Sequence, residues 1–256
     1  MNATKLAAQP ALRERPTSAV LAEPAGLGFD ERAHRYTLRG VELTSVTSLI
    51  GRYKRPFDAE AQAQRVALRD GRSAAEVQRE WTEKRDAAGA LGKQAHEIID
   101  RVLRAGSPLA LDHESPHVRA AMRCVADWQS QGASIIATEQ RLAWLERGLA
   151  GTVDALAWCD GAWWLVDWKT NEKLTLQAEP HWRAKMLDPV AHLDDVHGSH
   201  YALQLALYAL MLREVYGIEI QRRVLVHLRP DASYAIHEMP RLDAEARDLV
   251  NAQWEW

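Results

Sequence analysis

The amino-acid sequence predicts an α/β protein, a sheet core with a helical N-terminal portion, on three observations. Residues 59–105 carry a helical apolar pattern among many Arg and Lys. Three strand-like runs follow at 134–145, 149–159 and 162–168, the last two joined by Asp160-Gly161, a strong hairpin turn signal. Residues 199–216 are then apolar nearly all round and closed by Gly217, as in a buried helix, and two further strands follow near 219–228 and 233–238. The order helix, three antiparallel strands, helix, strand, strand builds an α/β sheet core.

Residues 1 to about 26 mix Ala, Pro, Arg and Glu without periodicity and are expected as a flexible arm. Residues 27–256 are expected as one domain: a mainly helical portion over 27–132, a sheet core over 133–240, and a terminal helix and tail over 241–256. Phe29 to Leu43 reads as short strands around an Arg39-Gly40 turn, and Thr44-Ser45 supply an N-cap for a short helix through Ile50. The helical stretch is expected to break near Gly71 and Gly89, and a further amphipathic helix covers 116–131. Residues 171–197, with Pro180 and Pro189, form a connection long enough to be functional or to hold short helices. The last helix starts near Arg241. No internal repeat is present.

Composition bounds the function classes. The chain has 256 residues and a formal net charge of -3, so no global excess of base advertises nucleic acid. The two cysteines, Cys124 and Cys159, are too few for a four-thiolate cluster. No apolar run is long enough to span a bilayer and the N-terminus lacks a signal-peptide core, so a cytoplasmic, membrane-free setting is expected. The bases from Arg52 to Lys93 are nearly balanced by acids. They read as a solvated helical surface, or as a DNA track if they segregate to one side.

The most informative stretch is Gly151 to Thr170. Asp154 lies inside one apolar strand run, and Asp167 ends the next with Lys169 two residues later. Positions i and i+2 share a strand face, so Asp167 and Lys169 point the same way. The hairpin would lay Asp154 beside them. These are either charged strand ends at the surface or a cation site, in which the ion offsets the cost of a carboxylate among Val153, Ala155 and Leu156. Oxygen donors of this kind suit magnesium or manganese. Gly92 and His96 share a helix face; His96 reads as an intrahelical partner of Asp100, a core histidine, or a ligand if its helix packs on the acidic edge. Gln204 and Tyr208, with His200 one turn earlier, need partners on an apolar helix: a backbone carbonyl, or a catalytic carboxylate, Lys169 or a phosphate. Glu139 is a solvent-facing strand acid, an acid that braces a metal ligand, or a ligand to a second ion. Trp163, Trp164 and Trp168 read as core, with stacking on unpaired bases as the alternative.

In order, Gly92-x-x-x-His96, Glu139, Gly151-Thr-Val-Asp154, Asp167-Trp-Lys169-Thr170 and Gln204-x-x-x-Tyr208 resemble the RecB-type branch of the PD-(D/E)XK nucleases. HRYTLRGVELTSVTSLI, DWKTNEK and MLDPVAHLDD are similar to phage exonucleases related to the mitochondrial genome maintenance exonuclease. The likeness spans about residues 28–230. It implies a restriction-endonuclease-like core, with a mixed sheet flanked by helices, that hydrolyses DNA with magnesium or manganese. It implies metal ligation by His96, Asp154, Asp167 and the Trp168 carbonyl, catalysis by Lys169, and strand contact by Gln204 and Tyr208. The cluster-forming cysteines of some relatives are missing, so no iron–sulfur cluster is expected. The function expected is exonuclease action on single-stranded or processed DNA ends in phage-type recombination or replication. The alternatives are a non-catalytic DNA-end or partner-binding module, or a nuclease subunit loaded by an annealing protein, helicase or primase. The arm and the Trp254-Glu255-Trp256 tail are candidate docking segments. As a ligand His96 must be neutral, so activity is expected to fall through about pH 6.5 if its pKa is ordinary.

Overall fold

Two tight turns organise the sheet. Asp160 and Gly161 take φ of 49° and 81°, and Arg39 and Gly40 take 51° and 82°, the backbone that matches the right-handed twist of paired strands. The computed structural model describes residues 15–253 apart from Arg32, His34, 107–110 and Trp182. In it β1 (Leu27–Asp30), β2 (Arg35–Leu38) and β3 (Val41–Ser45) form one antiparallel meander. A second comprises β4 (Ser134–Trp144), β5 (Leu149–Cys159) and β6 (Ala162–Lys169). β7 (Ile220–Leu228) adds in parallel to β6, and β8 (Tyr234–Glu238) closes the far edge antiparallel to β7.

The pairing of β5 is divided. β4 runs along one of its edges from Leu149 to Trp158. The other edge meets β3 in parallel at Leu149 and Ala150, then β6 from Ala155 onward. Residues 151–154 of that edge therefore lie in a notch between two diverging strands.

Helices cover both faces, making three layers. Ser45 caps α1 (Val46–Arg52) by accepting the Ser48 amide at 3.0 Å. Together with α5 (His197–Tyr216) and α6 (Asp243–Ala252), α1 buries Leu156, Leu165 and Leu225 of the sheet. The opposite face packs on α4 (Pro116–Ser130) and on Ile99 of α3 (Ala74–Ala105). Here Trp168 stacks on Trp128 with centroids 6.0 Å apart, and Trp164 meets Trp128 edge-on at 5.7 Å. Trp163, Trp164 and Trp168 are all buried, so these rings are core and are not free to stack on bases.

Several expectations need correction. Gly71 does end α2 (Ala59–Asp70) in the left-handed conformation, but Gly89 breaks nothing and α3 runs on for 32 residues. A glycine inside a helix costs about 1 kcal/mol. A complete Ser73–Glu76 capping box and ion pairs such as Lys84–Glu80, at 2.6 Å, offset that here. The bases of this segment are largely paired with its acids, as in Arg72–Glu80 and Arg104–Asp100. Within residues 15–26 of the expected loose arm, Ser18–Leu21 form a short 3-10 turn, Leu21 is buried, and Glu23 pairs with Arg141 at 2.9 Å, while most of the other described side chains are exposed. Residues 1–14 and the Trp254-Glu255-Trp256 tail lie outside the described residues.

The connection between β6 and α5 holds no helix among its described residues. It is pinned instead by close approach. A Cβ at Gly198, in the first turn of α5, would overlap the Leu176 carbonyl. Gly198→Ala is therefore expected to cost at least about 1–3 kcal/mol, since backbone and not a flexible side chain must move. Urea unfolding with an unchanged slope would report it, and an unshifted midpoint would show that the connection yields freely.

Candidate active site

The register places three carboxylates on one rung. Thr138 faces Ala155 and Gln140 faces Val153, which sets Glu139 opposite Asp154. Ala155 faces Val166, so by continuation Asp154 stands opposite Asp167. Glu139, Asp154 and Asp167 thus form a row across β4, β5 and β6, level with the notch in the edge of β5. Glu139 has φ of 44°, costly for a residue with a side chain and of a kind that collects at functional sites.

α3 brings His96 onto this row. Nδ1 lies 3.5 Å from both Glu139 Oε1 and Asp154 Oδ1, and Nε2 lies 3.0 Å from the Trp168 carbonyl oxygen. The intrahelical pairing with Asp100 is not formed: Asp100 accepts from Arg104 and Thr138 instead. Gly92 makes the approach possible, because a Cβ there would come within 3.3 Å of Thr170 Oγ1.

Asp154 accepts the Trp168 amide at 2.8 Å through its second oxygen, so the side chain substitutes for a ladder partner where β6 turns away. Asp167 is buried and held from the α5 side. Lys169 Nζ lies 2.8 Å and 2.6 Å from its two oxygens, and Gln204 Nε2 donates to it at 3.1 Å. Of the partners considered for Gln204, the carboxylate is the one present. Tyr208 packs against β5, where a Cβ at Gly151 would stand 2.8 Å from its hydroxyl. His200, by contrast, turns to Asp195 at 2.6 Å and has no part in the row.

Two neighbours escaped the sequence reading. Tyr201 presents its ring to Lys169, with Nζ 4.7 Å from the centroid, and donates to Asn171 Oδ1 at 3.1 Å. The Asn171 backbone carbonyl in turn contacts His227 Nε2 at 2.7 Å. Tyr201 lies three residues before Gln204, one helical turn, and that spacing was the available signal.

The electrostatics follow from the crowding. Burial alone would lower the His96 pKa, but the Asp154 charge and hydrogen bonds to Asp154 and Glu139 push it up to about 10. Burial opposes ionisation of Asp154, yet His96 and Lys169 hold it below its ordinary value. Burial and the Asp154 charge raise Asp167 to about 6 against the pull of Lys169. Burial would lower Lys169 too, but Asp167 and Asp154 keep it above its ordinary value, so it stays an ammonium. Burial, with Asp154 and Asp167 near, keeps the Tyr208 phenol protonated.

Comparison with known proteins settles the family. A model of the PD-(D/E)XK nuclease superfamily matches residues 58–254. The chain belongs to this superfamily. The PD-(D/E)XK match takes in the whole of β4 to α6 and includes His96, so every member of the row described above lies inside it. The solved structure of SSO0001 is similar to this PD-(D/E)XK chain at 16% identity, over 83% of this chain and 75% of that one, with a TM-score of 0.31. No curated protein matches the chain. No helix among its described residues is long and apolar enough to cross a membrane.

PD-(D/E)XK nucleases work with divalent cations, and the donor set here fits one. Ligand atoms of His96, Glu139 and Asp154 lie within 4.8 Å of one another, an imidazole and two carboxylates of the kind that suits manganese or magnesium. Asp167 is outside that group and tied to Lys169. In the ion-free protein the His96 imidazolium serves as the counter-ion, and the ordinary imidazole value of about 6.5 does not apply. Coordination needs neutral His96, so Mn2+ binding at pH 7–9 is expected to release about one proton and to tighten with rising pH. Calorimetry in buffers of different ionisation enthalpy measures this. Binding without proton release would leave His96 outside the ion's ligands.

Proposed function

We propose that this PD-(D/E)XK protein is a magnesium- or manganese-dependent DNA exonuclease of the RecB-type branch, acting on single-stranded or processed ends in phage-type recombination or replication. The observation that carries the reading is the convergence of His96, Asp154, Asp167 and Lys169 where β3 and β6 part from β5. His96, Asp154, Asp167 and the Trp168 carbonyl are the proposed metal-holding groups, with Glu139, which shares the Nδ1 side of His96 with Asp154, joining them. The ion supplies Lewis-acid charge that activates water and offsets the charge building on the phosphoryl oxygens.

The chain's own groups do the rest. Lys169, held as an ammonium by Asp167, stabilises negative charge at the phosphoryl group and orients the attacking water. A proton-abstracting role suits it less, because its neighbours favour the charged form. Gln204 fixes the Asp167 carboxylate, and protonated Tyr208 braces α5 against Gly151. Tyr201 limits the sweep of the Lys169 side chain.

The test compares wild type with Asp167→Ala/Lys169→Ala on 5′- and 3′-labelled single-stranded, duplex and circular DNA, with Mg2+, Mn2+ or EDTA. Cation-dependent shortening of linear strands that spares circles and vanishes in the double variant is expected, and the labels give polarity. Survival of every DNA while binding persists would replace the enzyme with a DNA-end binding module. Activity appearing only beside an annealing protein, helicase or primase would make the chain a subunit.

A further inference from the structure

β4 pairs with β5 at Thr138 and again at Gln140, yet Glu139 between them leaves the extended conformation for a φ of 44°. Strain of this kind persists only where the surroundings over-determine it. α3 supplies the restraint. Asp100 and Arg104 follow His96 at spacings of four, so all three share one face of that helix. Arg104 donates through Nε to Asp100 Oδ1 at 2.6 Å, and the Thr138 hydroxyl donates to the same oxygen. A second nitrogen of Arg104 donates to the Thr138 carbonyl oxygen at 3.0 Å. The residue gripped at both points, Thr138, is buried. Its carbonyl belongs to the planar peptide unit that joins it to Glu139. The φ of Glu139 is a rotation relative to that unit, so fixing the unit opposes relaxation toward an extended strand.

We propose that Asp100 and Arg104, gripping Thr138, are positioning residues that hold Glu139 left-handed and so aim its carboxylate at Nδ1 of His96. One helix then sets both halves of the contact. It carries His96 and, one and two turns later, clamps the strand that carries Glu139, leaving Oε1 3.5 Å from Nδ1. The cluster of His96, Glu139 and Asp154 depends on that approach. Arg104 is 61% exposed, and an ion pair so open to water contributes little to stability. Groups that orient a metal ligand act instead on affinity, where their loss is felt 10- to 100-fold. The consequence for cation binding rests on the metal-dependent nuclease reading, whereas the grip on Glu139 is measurable with no ion bound.

The experiment is a double-mutant cycle through Glu139. Arg104→Met and Thr138→Val remove the side-chain donors of the grip and keep most of the volume, and Thr138→Ser keeps the hydroxyl. Each is made alone and with Glu139→Gln. Two quantities are read: the imidazole 15N resonances of His96 in EDTA at one fixed pH, and the Mn2+ dissociation constant by electron paramagnetic resonance. Arg104→Met and Thr138→Val are expected to move the His96 resonances in the same direction as Glu139→Gln. Each should weaken Mn2+ binding about 10-fold, and neither should add to the loss already caused by Glu139→Gln. Thr138→Ser should stay near wild type. A role confined to stability would lower the melting temperature without that non-additivity. Because Arg104 is largely exposed, its variant answers the case in which Thr138→Val fails to fold. His96 resonances unmoved by both variants, or losses that add in full to that of Glu139→Gln, would overturn the positioning role. Wild type that binds no Mn2+ while the variants still move the His96 resonances would overturn the metal reading and leave the positioning role standing.

Discussion

Asp154→Asn is expected to lower the rate of DNA cleavage by on the order of 10³ or more and to abolish Mn2+ binding, with the fold retained. Asp154 holds the centre of the row: one oxygen accepts the Trp168 amide at 2.8 Å and the other stands 3.5 Å from His96. Asparagine keeps the volume and can keep the Trp168 bond through its carbonyl, which leaves its NH2 facing the imidazole and the ion's position. The charge that a cation needs disappears while packing survives. Asp154 also makes the largest favourable contribution to the raised pKa of His96, so the imidazole should titrate lower in the variant. Electron paramagnetic resonance of Mn2+ and the histidine resonances read these two effects. A variant within a few-fold of wild type would take Asp154 out of the chemistry.

The second large effect belongs to Lys169→Ala, expected to cost about 10² to 10³ in kcat, as for a preorganised electrostatic group. Here the site's own arrangement adds a second consequence. Asp167 is nearly inaccessible and its oxygens face Lys169 and Gln204. Removing the ammonium leaves a buried carboxylate without its counter-ion, a change of about 3–5 kcal/mol for fully buried pairs. The ion-free variant should therefore melt earlier than wild type, or carry a protonated Asp167. Lys169→Arg restores charge but not reach: the forked guanidinium is bulkier than an ammonium beneath the Tyr201 ring. Single-turnover kinetics at saturating DNA, set beside thermal melts with and without Mn2+, separates the two consequences. Unchanged kcat in Lys169→Ala would confine it to holding Asp167.

Local signals explain what was readable beforehand. The Asp160-Gly161 turn requires two left-handed residues and permits one register, so placing Asp154 beside Asp167 followed from the turn alone. The buried character of α5 followed from its unbroken apolar composition. That same uniformity left the spacing to Gln204 as the one signal for Tyr201, because a helix apolar on every side gives no face against which a single residue stands out. Glu139 was named as a candidate acid, but its role stayed open for another reason. A bulge at Ile136 shifts β4 by one residue, and the left-handed backbone at Glu139 re-aims its side chain; neither leaves a mark in the alternation of residue types. The uninterrupted α3 shows tertiary packing and charge pairs overriding a weak local preference at Gly89. The parallel joining of β6 to β7 depends on where α5 carries the chain, which no short window contains.

The row of acids also bears on the order in which cation and DNA would load. The row sets three carboxylates against two bases, His96 and Lys169, so with all five groups charged the rung carries one surplus negative charge. A polyanion arriving first would meet like charge across a short, poorly solvated gap. A divalent ion that displaces the His96 proton adds two charges and removes one, which brings the rung to electroneutrality. Loading the cation first would thus turn a repelling entrance into a neutral one, and the proton leaving His96 would mark the moment at which the cleft becomes open to DNA.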